Sequence, residues 1–182
     1  MGNSRLSKSK ELFLGLSNIS KIVPISLDNF FFRIVSQKHE KHILSTEGSR
    51  ISGGRYNNPG IDGILYLGES KEVCMAEIKR KDPLFSLKYI IGKVEVKLDK
   101  VLDLGREENL KILGIKKEDL IKGEKAGEYK VTREIGREAY KKGYEALLVP
   151  SITGKGNNLV VFIPNLKEKS ERVKLIKTSQ VK

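Results

Sequence analysis

A glycine-rich turn, Gly53-Gly54-Arg55-Tyr56-Asn57-Asn58-Pro59-Gly60, precedes a tyrosine at position 66 and a glutamate at position 77. Glycine lets a backbone come close to a ligand, and a guanidinium beside it offers a planar fork of donors that matches phosphate oxygens. Tyr66 lies in a short apolar run, Ile64-Leu65-Tyr66-Leu67, and Glu77 in a helix-like stretch. Arg55, Tyr66 and Glu77 can therefore supply one pocket with an anion clamp, an aromatic platform and a charge-stabilising carboxylate. The same residues also compose an ordinary strand connection, with Arg55 solvated, Tyr66 in the core and Glu77 on a helix surface. Asn-Asn-Pro-Gly is a common turn former, so both readings stand at this point.

Arg33 stands inside an aromatic and β-branched run, residues 30–35, which is expected to be a buried strand. An unpaired guanidinium is costly there, so Arg33 either meets an internal carboxylate or points into a cleft and binds an anion. Arg50 is a third, weaker anion ligand. Ser151 follows Pro150 at a predicted strand end, where its hydroxyl suits hydrogen bonding to a ligand. Neither histidine is placed by the sequence to activate it as a nucleophile. His39 and His42 lie among Lys38, Glu40 and Lys41, with no third ligand, and read as a solvated loop rather than a metal site. Cys74 is the only cysteine; it excludes an internal disulfide and reads as a small core residue.

The elements that must hold these residues alternate irregularly. Strands are expected at 30–35, 64–67, 89–98, 145–149 and 159–163, with 101–104 continuing the third after a turn and 173–177 forming a final edge strand. Ser70 caps a predicted helix over 71–80; further helices are expected near 106–113, 116–122 and 132–142, the last ended by Gly143. This order fits an α+β domain better than a regular strand–helix alternation. Gly154-Lys155-Gly156 lacks the spacing of a phosphate loop.

The 182 residues are enough for one domain with a real core. Residues 1–28 read as a leader or peripheral helix, and 29–182 as the functional domain. No apolar run approaches the ~20 residues that span a bilayer, and no signal-peptide core is present, so a cytoplasmic location is expected. The net charge of +12 favours an anionic ligand or acidic partner. The lysines are nevertheless interspersed with glutamates, and no nucleic-acid motif is found.

Four blocks in order resemble the RES-domain family: Phe32-Arg33-Ile34-Val35; Gly53-Gly54-Arg55-Tyr56-Asn57-Asn58-Pro59-Gly60; Ile64 to Ser70 leading to Ala76-Glu77; and Ala146 to Ser151 with Gly156 to Phe162, preceded by Thr132-Arg133-Glu134-Ile135-Gly136. Tyr56 stands where the family usually has tryptophan. The resemblance, over about residues 30–166, implies a single α+β domain resembling the ADP-ribosyltransferase toxin fold, with a split, twisted β-sheet core and peripheral helices. It also implies an NAD-degrading toxin of a bacterial toxin–antitoxin pair, acting by hydrolysis or phosphorolysis. On that implication Glu77, Arg33 and Ser151 are catalytic, while Arg33, Arg55, Tyr66, Gly54, Asn57 and Ser151 bind NAD. NAD is then the substrate, with no cofactor and no metal. A helix-turn-helix antitoxin of the Xre type would be the partner, phosphate a further one, and nucleic acid would be met only through the antitoxin. Two alternatives share the residues: a mono-ADP-ribosyltransferase that modifies one protein, and a non-catalytic basic nucleic-acid-binding module.

Overall fold

Strand β1 (Ile25–Ser36) runs antiparallel along β3 (Tyr89–Asp103), with Phe31 opposite Val94 and Arg33 opposite Gly92. The computed structural model of the chain describes residues 15–122 and 129–181. Strand β6 (Val173–Gln180) covers the other edge of β3 and completes a three-stranded antiparallel leaf. A second leaf is made by β2 (Ile64–Gly68), β5 (Asn157–Phe162) and β4 (Ala146–Pro150), in that order. The leaves are joined by a short parallel pairing of β3 with β4, and by the single pair Phe32–Gly68 between β1 and β2. The expected split sheet is present, and its opening lies where β1 and β2 barely touch.

One core is shared by both leaves and contains Phe31, Leu65, Leu67, Val94, Val96, Val101, Leu159 and Val161. The opposite face of β2, β4 and β5 contributes Ile64, Leu147, Val149, Val160 and Phe162 to a second core. Three helices cover it: α3 (Glu107–Leu113), α4 (Lys117–Ile121) and α5 (Lys130–Lys141), after α1 (Glu47–Ser52) and α2 (Lys71–Lys81); α6 (Lys169–Arg172) precedes β6. Burial on both faces explains why β2, β4 and β5 read as unbroken apolar runs while β3 alternates. Leu16, Ile19 and Ile22 are buried in the second core, and the Tyr144 hydroxyl lies 2.9 and 3.0 Å from the Ile19 and Ile22 carbonyls. Strand β1 begins at Ile25, inside the segment read as a leader.

The expected strand bounds are corrected in places. The turn expected between 98 and 101 is absent, and β3 continues unbroken to Asp103. The polar pair Asp99-Lys100 marks the place where β3 changes its neighbour from β6 to β4. There the buried Glu145 accepts the Asp99 and Lys100 amides at 2.6 and 3.1 Å, so a side chain bridges the gap in the ladder. β6 also extends three residues beyond the expected end. Among the described residues no helix is long and apolar enough to cross a membrane.

Candidate functional site

Helix α1 ends at Gly53, whose φ of +68° turns the chain back toward β2. The next residue must also be glycine, because a Cβ on Gly54 would lie 2.4 Å from the Tyr66 hydroxyl oxygen. That hydroxyl accepts the Tyr56 amide at 3.0 Å and donates to Asn57 Oδ1 at 2.8 Å. Asn57 Nδ2 in turn donates to the carbonyls of Ser49 and Asn58, at 2.9 and 3.0 Å. The polar atoms of Tyr66 and Asn57 are thus taken up in fixing the turn, and burial holds the Tyr66 phenol well above its ordinary pKa. The Tyr66 ring still lines the cleft.

Arg55 is tethered by Nη1 to the carbonyls of Leu120 and Lys122, at 3.2 and 2.8 Å, and its guanidinium lies 4.7 Å from the Tyr129 ring centre. It lines the cleft from that anchorage. Arg133 Nε donates to the Gly54 carbonyl at 3.1 Å, tying α5 to the same turn. Arg50 instead pairs with Glu47 on the exposed side of α1. Helix α5 passes so close that a Cβ on Gly136 would sit 1.9 Å from the Tyr56 carbonyl oxygen. Overpacking of this kind costs about 1–3 kcal/mol, of which alanine's better helix propensity returns about 1. Gly136→Ala is therefore expected to lower the melting temperature by a few degrees and to displace the turn, measured by thermal unfolding.

Helix α2 spans the opening of the sheet. Ser70 caps it as expected, its hydroxyl accepting the Val73 amide at 3.2 Å. Cys74 fits against Gly68, where a Cβ would meet its sulfur at 2.6 Å, and donates to the Phe32 carbonyl at 3.3 Å. Burial pushes the Cys74 thiol up to about 12, so it is inert packing. One turn further, Glu77 points at the second leaf. Its Oε1 accepts from Ser151 Oγ at 2.9 Å and from Asn158 Nδ2 at 2.6 Å. Ser151 is 2% exposed, at the end of β4, and Asn158 lies opposite both Gly68 and Val149 in the ladder. The other carboxylate oxygen, Oε2, accepts no hydrogen bond among the described residues.

Arg33 enters from β1. Nη2 donates to the Ser45 carbonyl at 2.8 Å, while Nη1 is buried without a hydrogen-bond partner among the described residues. Burial lowers the guanidinium from its ordinary value to about 10. Of the two alternatives open in the sequence, no carboxylate among the described residues bonds or pairs with it, and Arg33 lines the cleft. The cleft encloses about 520 Å³ and is lined by Arg33, Arg55, Tyr66, Gly54, Glu77 and Asn158, with Arg80 and Lys81 at its side. Among the described lining residues a single carboxylate thus faces several cations, an arrangement suited to a ligand with both a phosphate chain and a centre of developing positive charge.

Asn158 received no role from the sequence, although its place gave a signal: an amide heading a buried apolar strand must find a partner. Glu69 was missed as well. It accepts the Asn157 amide and side chain at 2.8 and 3.1 Å, which fixes the loop that carries Ser151. The histidines are exposed on the short 3-10 helix Gln37–His42, and no group of three metal-ligating side chains occurs among the described residues.

Known proteins resemble this chain in sequence and in fold. The model of the RES domain family matches residues 30–178. The curated relatives named NAD(+) phosphorylase MbcT, from Mycobacterium bovis and Mycobacterium tuberculosis, are each 27% identical over 121 residues. That alignment covers 62% of this chain and 63% of each relative, less than two thirds of their length. In three dimensions the chain superimposes on a chain of the M. tuberculosis MbcT–MbcA toxin–antitoxin complex with a TM-score of 0.78, at 22% identity, covering 92% of this chain and 91% of that one.

Proposed function

The chain belongs to the RES domain family, and from that premise we propose that it cleaves the nicotinamide–ribose bond of NAD, depleting the dinucleotide as the toxin of a toxin–antitoxin pair. The observation that carries the reading is the Glu77 carboxylate, with one oxygen fixed by Ser151 and Asn158 and the other without a hydrogen bond among the described residues, in the lining of a cleft rich in arginine. Nicotinamide leaves NAD from a cationic ring as a neutral amide, taking the bonding electron pair, so proton transfer to it is unnecessary. The difficulty lies in the oxocarbenium character left on the ribose. Glu77 Oε2, within reach of a ribose hydroxyl, stabilises that charge, and Arg33 with Arg55 holds the pyrophosphate. The acceptor then bonds to the ribose carbon: phosphate in phosphorolysis, or water, which gives up a proton, in hydrolysis. The names of the mycobacterial relatives favour phosphate.

A protein antitoxin is the proposed partner, of the Xre helix-turn-helix type, and the cytoplasm the proposed location. Incubation of the purified chain with NAD, with and without phosphate, tests the reading through chromatography of the products. Released nicotinamide is expected in both arms, with faster consumption and a phosphorylated ADP-ribose when phosphate is present. Intact NAD alongside an ADP-ribosylated protein would replace this reading with transfer to a macromolecule.

Ser151 is a positioning residue in this scheme. Ser151→Ala removes one of two hydrogen bonds to a charged group, a loss of roughly 1.5–3 kcal/mol. If the bond is fully expressed in the transition state, kcat falls about 10–100-fold. KM for NAD is expected to stay nearly constant in steady-state assays.

A further inference from the structure

On the face of the first leaf, beside α2, lies a second hollow of about 190 Å³ lined by Lys71, Lys93, Lys177, Ser179, Phe32 and Ile91. The strand register explains why they meet. Phe32, Lys93 and Lys177 form one row across β1, β3 and β6, and Ile91 with Ser179 belongs to the next. Lys71 comes from the first residue of α2. Two lysines directly opposite in an antiparallel pair repel each other, and a folded sheet ordinarily places a carboxylate there. None of the three lysines forms an ion pair among the described residues. Glu95, two residues along β3, is 3.8 Å from Lys97 instead. Lys93 is steadied by an aromatic face, its ammonium lying 3.6 Å from the Phe30 ring centre.

We propose that this hollow is a second anion site, distinct from the cleft, that takes a phosphate group. Three lysines from separate elements line it, with a serine beside them and two apolar side chains, Phe32 and Ile91, completing the wall. Its volume lies below the ~300–1,000 Å³ of pockets for drug-sized ligands, so it holds inorganic phosphate, pyrophosphate or the phosphate of a larger solute. Phe32 adjoins Arg33 in β1, and Lys71 shares α2 with Glu77, so a bound anion would brace the two elements that flank the opening of the sheet.

The test uses the full chain without NAD, so it stands independently of the reading of the cleft. Melting temperature and heats of binding are measured with phosphate, pyrophosphate and AMP, against sodium chloride at matched ionic strength. At saturation, around a hundredfold above Kd, the wild-type chain is expected to gain about 5 °C or more. Lys93→Gln/Lys177→Gln is expected to bind one pyrophosphate fewer, to lose that gain, and to melt without anion no lower than wild type, since it removes a repulsion. Lys177→Gln alone serves if the double variant fails to fold. Equal binding of phosphate and AMP identifies the phosphate group as what is held, whereas tighter AMP binding assigns the apolar floor to the rest of the ester. Unchanged stoichiometry and stabilisation in the lysine variants, or an equal gain with chloride, would overturn the site.

Discussion

Glu77→Gln is expected to leave the chain folded and to reduce NAD turnover by about 10²–10³, the usual loss when one preorganised electrostatic stabiliser is removed. The amide keeps an oxygen for the Ser151 and Asn158 donors, which now lie 2.9 and 2.6 Å from Oε1. What disappears is the negative charge opposite the ribose. Because that charge matters most when the sugar becomes cationic, kcat is expected to fall much further than NAD affinity. Steady-state kinetics with a parallel melting curve reads both quantities. Full activity in a folded Glu77→Gln chain would place the stabilising charge elsewhere.

Arg33 provides the second large effect, and stability and binding are expected to move in opposite directions. Its guanidinium is buried, bonded to one carbonyl and otherwise unpaired among the described residues, and burial lowers it to about 10. The lowered value means that the folded state binds the proton less readily than the unfolded chain. The cost, on the order of 3 kcal/mol, is therefore present throughout the pH range below about 10 and fades only as the folded form deprotonates. A residue retained at that cost in a ligand cleft is expected to serve the ligand. Arg33→Met should then melt at the wild-type temperature or several degrees above it, and bind NAD at least tenfold more weakly. Arg33→Lys keeps the charge but loses the fork, and about 1–3 kcal/mol of NAD affinity with it. A large loss of stability in Arg33→Met would instead identify a structural arginine.

Local features of this chain could be read from its sequence because they depend on neighbours within a turn or two. Ser70 as a cap, Gly143 as a helix end and the apolar strands over 64–67 and 159–163 all follow from propensity and pattern. Arg33 stood out because a guanidinium in an apolar strand demands an explanation. Contacts made across the fold were harder to foresee. Glu145 reaches back some 45 residues to carry β3 past its change of neighbour, and Asp99-Lys100 imitates a turn until that contact is known. Asn158 meets Glu77 only because β5 lies between β2 and β4. Gly54, Tyr66 and Asn57 were read as ligand contacts. The Tyr66 hydroxyl and the Asn57 side chain bond to each other and to the turn, a cross-chain arrangement that spacing does not reveal, while Gly54 and Tyr66 line the cleft.

The proposed reaction is cleavage of the nicotinamide–ribose bond of NAD in this cleft by means of Glu77. Proton nuclear magnetic resonance of NAD during incubation with the purified wild-type chain, beside Glu77→Gln, tests it most directly. The wild-type chain is expected to convert the nicotinamide riboside signals into those of free nicotinamide, one for each NAD lost, at a rate about a hundredfold or more above the variant. Persistence of the NAD signals with folded wild-type protein, with or without phosphate, would contradict it.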